Sequence, residues 1–221
     1  PENVGMNSKI LTKIDSIANY AISKKMTPGI QVVVARKGKV IYQKSFGNHT
    51  YENSQKVNNS DIYDIASLTK ILATLPNIMQ EFDQGHLTLE TKLKSMLPEA
   101  KNSNKANATV LDMLTHQARF QPWIPFYKAT LDSLNRPSTH FYRSEFSDEF
   151  PIHVADNLFL KKGYNDTIIK TILESELLPK KQYKYSDFTF ILFKEYLELH
   201  HKKSLEYLAQ TNFYEPLGAS S

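Results

Sequence analysis

Ser67-Leu68-Thr69-Lys70 is where residue types and spacing first suggest chemistry. Ser67 falls where an extended segment turns into a helix, so its hydroxyl would sit at the positive end of the helix dipole, which favours developing negative charge. Lys70 is three residues on and shares the helical face of Ser67. A buried lysine can be held neutral and can then take the serine proton, leaving an alkoxide-like nucleophile. This is the Ser-x-x-Lys arrangement. The four residues alone carry little weight, because about two such matches are expected by chance in a chain of this composition. On the four residues alone, Ser67 as a simple helix cap and Lys70 as a solvated first-turn cation is the favoured reading.

The elements that would hold this pair can be read from hydrophobic periodicity. Residues 8–25 carry Ile10, Ile14, Ile17, Ala18 and Ala21 at helical spacing, with Asn7 or Ser8 as cap and Thr27-Pro28-Gly29 as stop. The β-branched runs 30–35 and 40–46, joined by Arg36-Lys37-Gly38-Lys39, form a hairpin. Residues 48–61 read as a polar loop. Ser67 to Gln84 is a helix with Leu68, Ile71, Leu72, Leu75, Ile78, Met79 and Phe82 on its apolar side, kinked at Pro76 and closed by Gly85. A short extended piece follows at Leu87 and Leu89, then a brief helix ending at Pro98 and a further helix from Thr109 to Gln117. Residues 120–160 read as irregular and aromatic, of a length that is often functional. Helices are expected over 165–177, 187–199 and 203–212. The hairpin is the one strand pair the pattern places, and a hairpin alone is marginal.

Composition sets outer bounds. The chain has 221 residues, 27 Lys+Arg, 23 Asp+Glu, 7 His and a net charge of +4, with 41% apolar and 23% charged residues. That is a globular composition. The absence of Cys excludes a disulfide scaffold, a thiolate metal site and a cysteine nucleophile. Small net charge and scattered basic residues argue against a nucleic-acid partner. No apolar run approaches the roughly 18 residues that span a bilayer, so no transmembrane segment is expected. The sequence contains no Gly-x-Ser-x-Gly elbow, phosphate loop or His-Glu-x-x-His. The start at Pro1 rather than Met points to a processed or excised piece.

Wider context gives the tetrapeptide its meaning. Asp64-Ile-Ala-Ser67-Leu-Thr-Lys70-Ile-Leu-Ala-Thr74 resembles the active-site helix of the serine β-lactamase and penicillin-binding-protein superfamily, in its class C-like branch. The entry helix, Thr27-Pro-Gly29 with the hairpin, Thr109-Val-Leu-Asp-Met-Leu-Thr-His116 and Asn212-Phe-Tyr-Glu-Pro-Leu-Gly218 resemble family segments in the expected order. The resemblance implies an α+β, β-lactamase/transpeptidase-like fold, with a helical lobe packed on an incomplete antiparallel-sheet α/β lobe. Residues 1–61 would hold the N-terminal helix and hairpin. Residues 62–221 would form the mainly helical lobe. The family's final strands would be absent, leaving a hairpin prone to pairing with another chain.

By the same resemblance, Tyr185-Ser186-Asp187 matches the family's Tyr-x-Asn. Tyr185 would be the acid/base, and Asp187 would stand where the family has asparagine. An amide both donates and accepts, whereas a carboxylate only accepts. Asp187 would pair with Lys70 more strongly than Asn and hold it charged, weakening it as a base. The family's third element, Lys-Thr-Gly or His-x-Gly, has no match after Asp187; Lys161-Lys162-Gly163 has that shape but precedes Tyr185. Half of the oxyanion hole would be missing, and one lost donor costs about 100- to 1000-fold in rate.

The resemblance implies a penicillin-binding-like serine hydrolase acting through an acyl-enzyme on Ser67 and impaired in this fragment. The alternative is a non-catalytic cell-wall-ligand-binding or interaction module with the same fold. The substrate would be a β-lactam, a D-Ala-D-Ala-like or other peptidoglycan peptide, or a small ester. The location would be periplasmic or otherwise extracytoplasmic, and relatives of this type occur fused to a family 3 glycoside hydrolase. Trp123, Phe126 and Tyr127 are the candidates for lining a substrate cleft. His116 is read as structural. His200-His201 lacks a third ligand at suitable spacing and reads as a helix-end cation pair, so no metal and no cofactor is expected.

Overall fold

A computed structural model describes residues 1–52 and 54–219. The chain divides into two compact units, Pro1–Ile65 and Ala66–Ser221. Its elements are helices with small antiparallel sheets, an α+β arrangement.

In the first unit the expected single helix is split into α1 (Ser8–Leu11) and α2 (Lys13–Ser23). Thr12 marks the break, its hydroxyl donating to the carbonyl of Lys9. Asn7 caps the start, accepting from the Ile10 amide at 3.2 Å. Leu11 and Ala18 are buried, while Ile10 and Ile17 stay exposed, so the covered stripe is narrower than the periodicity suggests. The hairpin forms as expected: β1 (Gly29–Arg36) pairs antiparallel with β2 (Lys39–Gly47). Its two-residue loop, Lys37-Gly38, has positive φ at both positions (52° and 70°), the type I′ geometry that matches strand twist. Asp15 of α2 ties the helix to β2 by accepting from the Tyr42 hydroxyl at 2.7 Å and the Lys44 ammonium at 2.9 Å. Gly47 (φ 71°) has no room for a side chain, since a Cβ there would lie 2.3 Å from the Pro28 carbonyl.

The second unit is mainly helical. The helix beginning after Ser67 is not uniform: Lys70–Thr74 is π-helical before α3 (Leu75–Asp83). Pro76 explains the change. Lacking an N–H, it cannot bond the Leu72 carbonyl four residues back, and the Tyr214 hydroxyl takes that carbonyl instead at 2.6 Å. The Leu75 amide reaches five residues back, to Lys70. Then come α4 (Leu93–Met96), α5 (Val110–Leu114), α6 (Tyr164–Glu174), α7 (Phe188–His201) and α8 (Leu205–Ala209). Phe188, Leu192, Phe193 and Leu197 of α7 are fully buried against Leu93, Leu97, Met113 and Ile172, which makes α7 the centre of the core. Complete burial of side chains this size contributes about 1.5–3 kcal/mol each.

The segment 120–160 departs from its reading as irregular. It contains strands β3 (Tyr142–Arg143), β4 (Ile152–Ala155) and β5 (Leu158–Leu160), an antiparallel sheet in the order β3-β5-β4. Two to four residues per strand are too few to show alternation, so periodicity could not reveal them. The aromatics anchor this region: Tyr164 donates to the Phe126 carbonyl at 2.7 Å, and the Arg143 guanidinium lies 4.4 Å from the Phe150 ring centre.

Candidate active site

Ser67 follows Ala66, whose φ of 43° is left-handed, and stands at the turn into the helix. Such a backbone costs on the order of 1–3 kcal/mol in a non-glycine residue and is concentrated at functional positions. The turn is held by the Lys70 amide on the Ser67 carbonyl at 3.1 Å. Ser67 is exposed, and its Oγ receives two donors: Lys70 Nζ at 3.1 Å and the Tyr185 hydroxyl at 3.0 Å. Lys70 Nζ also lies 2.8 Å from Asp187 Oδ1. Lys70 and Tyr185 therefore meet at the Ser67 hydroxyl oxygen, and Asp187 joins them through Lys70.

Tyr185 is 118 residues from Ser67 in sequence and is held by its neighbours. The Lys184 amide donates to the His116 carbonyl at 2.9 Å, and the Ser186 amide to His116 Nδ1 at 3.2 Å. The His116 ring lies 4.7 Å, centre to centre, from the Tyr185 ring. Burial, and then the positive charge of Lys70, hold His116 below the usual histidine range. A neutral imidazole is what an accepting Nδ1 requires. His116 thus braces the Tyr185-Ser186 segment from behind, by ring packing on Tyr185 and by accepting from the Ser186 amide. Ser186, fully enclosed, donates to the Gln121 carbonyl at 2.6 Å and accepts from the Phe188 amide. Because Ser186 does the capping, the carboxylate of Asp187 is left to face Lys70 rather than the start of α7.

Lys70 is a cation here. Partial burial pulls its ammonium towards neutrality, but hydrogen bonds to Asp187 and Tyr185 and the Asp187 charge outweigh burial and raise it above the usual lysine value. The group donates to Ser67 rather than accepting from it.

A cleft of about 440 Å³ opens over Ser67 and Lys70. Trp123 and Phe126 form part of its wall, with Phe190, Ile191 and Leu205. Tyr127 is half exposed and stands outside that lining. The α7 and α8 members of the wall were not singled out in the sequence. Their only signal was helical spacing after Asp187, which core residues share.

The profile of the Beta-lactamase family matches residues 18–221. The chain belongs to the Beta-lactamase family. Among curated relatives, an N-acetylmuramyl-L-alanine amidase of Bacillus subtilis (strain 168) is 28% identical over 139 residues, 57% of this chain and 31% of the relative. A β-lactamase of Providencia stuartii is 29% identical over 124 residues, 55% of this chain and 31% of that protein. The octameric penicillin-binding protein homologue from Pyrococcus abyssi superposes with a TM-score of 0.67 at 20% identity, over 94% of this chain and 43% of its own. The β-lactamase/transpeptidase-like fold inferred from the sequence is therefore correct, while this Beta-lactamase family chain spans under half the length of these relatives. No helix among the described residues is long and apolar enough to cross a membrane.

Proposed function

We propose that this chain carries the nucleophile-bearing part of a penicillin-binding-like serine hydrolase that works by acyl transfer. The observation behind this reading is the double approach of Lys70 and Tyr185 to Ser67 Oγ, at 3.1 and 3.0 Å, under an open cleft. Curated relatives that are an amidase and a β-lactamase support an amide or lactam carbonyl as the target.

In the productive cycle Lys70 is first neutral. Ser67 Oγ bonds the carbonyl carbon, and its proton passes to the Lys70 amine. The scissile C–N or C–O bond breaks as Tyr185 gives its proton to the leaving group. Lys70 then returns a proton to the Tyr185 oxygen, restoring both groups. Water releases the acyl chain by the reverse proton route. Asp187 opposes the first requirement by keeping Lys70 protonated, which makes acylation slow at neutral pH.

Substrates on this reading are a β-lactam, a D-Ala-D-Ala-like peptide or a small ester. The reading carries with it an extracytoplasmic, wall-facing location, lobes at 1–61 and 62–221, and a covalent fusion to a family 3 glycoside hydrolase as the arrangement to seek in the parent chain. A fluorophosphonate probe tests the chemistry. Slow labelling of Ser67, mapped by peptide mass spectrometry and absent in Ser67→Ala, is expected. Absence of label in both the wild type and Asp187→Asn overturns the enzyme reading. It would favour the non-catalytic wall-ligand module, for which the Lys70–Asp187 pair is the supporting observation.

A further inference from the structure

Away from the Ser67 cleft, the second unit buries a carboxylate among histidines. Glu81 of α3 has a side chain only 1% exposed. Its ion-pair partners among the described residues are three imidazoles. His201 Nε2 lies 2.8 Å from Oε1, His86 Nδ1 lies 3.2 Å from Oε2, and His200 Nε2 lies 3.6 Å from Oε2. The Tyr196 hydroxyl donates to Oε2 at 3.1 Å and fixes the carboxylate plane. The His200 ring packs on Tyr196 (5.5 Å, stacked) and edges against His201 (4.9 Å), which fixes the imidazoles in turn.

A buried carboxylate is costly without a compensating cation, and an imidazole supplies charge only when protonated. One donor atom from each of Glu81, His200 and His201 falls within a sphere where all lie less than 4.8 Å apart. Donors bound tetrahedrally at about 2.0–2.1 Å stand about 3.3 Å from one another. The His201 Nε2–Oε1 and His200 Nε2–Oε2 separations, 2.8 and 3.6 Å, lie on either side of that value. The carboxylate is at the bottom, whereas His86, His200 and His201 are 44%, 40% and 29% exposed, so an ion can reach the donors from solvent.

We propose that Glu81, His200 and His201 bind a divalent transition-metal cation, with Zn²⁺ as the best fit to two imidazole nitrogens and a carboxylate oxygen, and with His86 as a further nitrogen at the rim. The ion would clip the end of α3 to the end of α7. Tyr196, hydrogen-bonded to the ligating carboxylate, would orient it from behind.

Titration of the whole chain with ZnCl₂ by calorimetry, paired with melting curves, tests this. The expected result is one saturable Zn²⁺ per chain and a melting point raised by several degrees, since a ligand of the folded state alone stabilises it. His200→Ala and His201→Ala, partly exposed positions that should fold, each weaken binding by at least about tenfold. His49→Ala, which removes the histidine paired with Asp61 in the first unit, leaves binding unchanged. Glu81→Gln also loses binding, and circular dichroism checks its fold. No saturable uptake by the wild type overturns the site. So does wild-type affinity in both His200→Ala and His201→Ala, or loss of binding in His49→Ala.

Discussion

Asp187 Oδ1 lies 2.8 Å from Lys70 Nζ, and that same ammonium lies 3.1 Å from Ser67 Oγ. The carboxylate holds the ammonium beside Ser67 charged. A lysine held above its ordinary range by an acid partner donates to serine and cannot take a proton from it. On the proposed acyl-transfer reading, Asp187 restrains the site by keeping Lys70 charged.

Asp187→Asn should therefore raise reactivity. The amide keeps a hydrogen-bond acceptor for Lys70 without the charge, and each pKa unit by which Lys70 falls is worth about 1.4 kcal/mol. Fluorophosphonate labelling of Ser67 should speed up by about tenfold or more at pH 7.5, and the pH–rate profile should move to lower pH. An unchanged profile would mean that Asp187 does not govern Lys70.

Tyr185→Phe removes the second donor on Ser67 Oγ while keeping the ring that packs on His116. Loss of a general acid costs about 10²–10⁴ in rate. Because Tyr185 is exposed, the unfolding midpoint should move by no more than about 0.5 kcal/mol. A large drop in stability instead would assign Tyr185 to the scaffold.

His116 should make the fold acid-sensitive. Its folded-state pKa is depressed, so the unfolded chain binds more protons as pH falls through 6.5, and stability is lost in that window. His116→Ala should cost about 1–3 kcal/mol at pH 7.5 by orphaning the Ser186 amide. Urea denaturation should show the gap between variant and wild type narrowing towards pH 5.5. A constant gap would mean that His116 titrates alike in both states.

Lys105 should act at the other end of the pH scale. Burial lowers its ammonium to about 8, against an opposing pull from Glu176. Its Nζ donates to Asn104 Oδ1 and the Ser175 carbonyl. Between pH 8 and 10.5 the unfolded chain holds the extra proton, so this group makes stability rise with pH there. Relative to Lys105→Met, the wild type should gain about 2 kcal/mol between pH 7.5 and 9.5 in urea denaturation. No relative gain would place the Lys105 pKa at its ordinary value.

Local signals in the chain located the hairpin and the main helical segments, though not the break at Thr12. Asn7 capping, the Lys37-Gly38 turn and the β-branched strands act over a few residues and leave their mark in composition. Pro76 was readable as a disturbance, though not as the π-helical stretch that results, because that outcome depends on Tyr214 arriving to satisfy the Leu72 carbonyl. The β3-β5-β4 sheet left no pattern, since strands of two to four residues hold at most two periods.

The sequence by itself determined the family, and it placed Ser67 beside Lys70 and Tyr185 beside Asp187, because residues three apart on a helix, or two apart at its start, must lie close. The pairing of Lys70 with Asp187 was expected from the resemblance, but only the tertiary structure gave its geometry and decided that the Ser186 hydroxyl, rather than the Asp187 carboxylate, bonds the start of α7. It alone brought Glu81 beside His200 and His201. Spacing along the chain says nothing of contacts closed over 118 to 120 residues. Those are set by how α3 and α7 pack their apolar faces, and the polar groups meet where that packing leaves them.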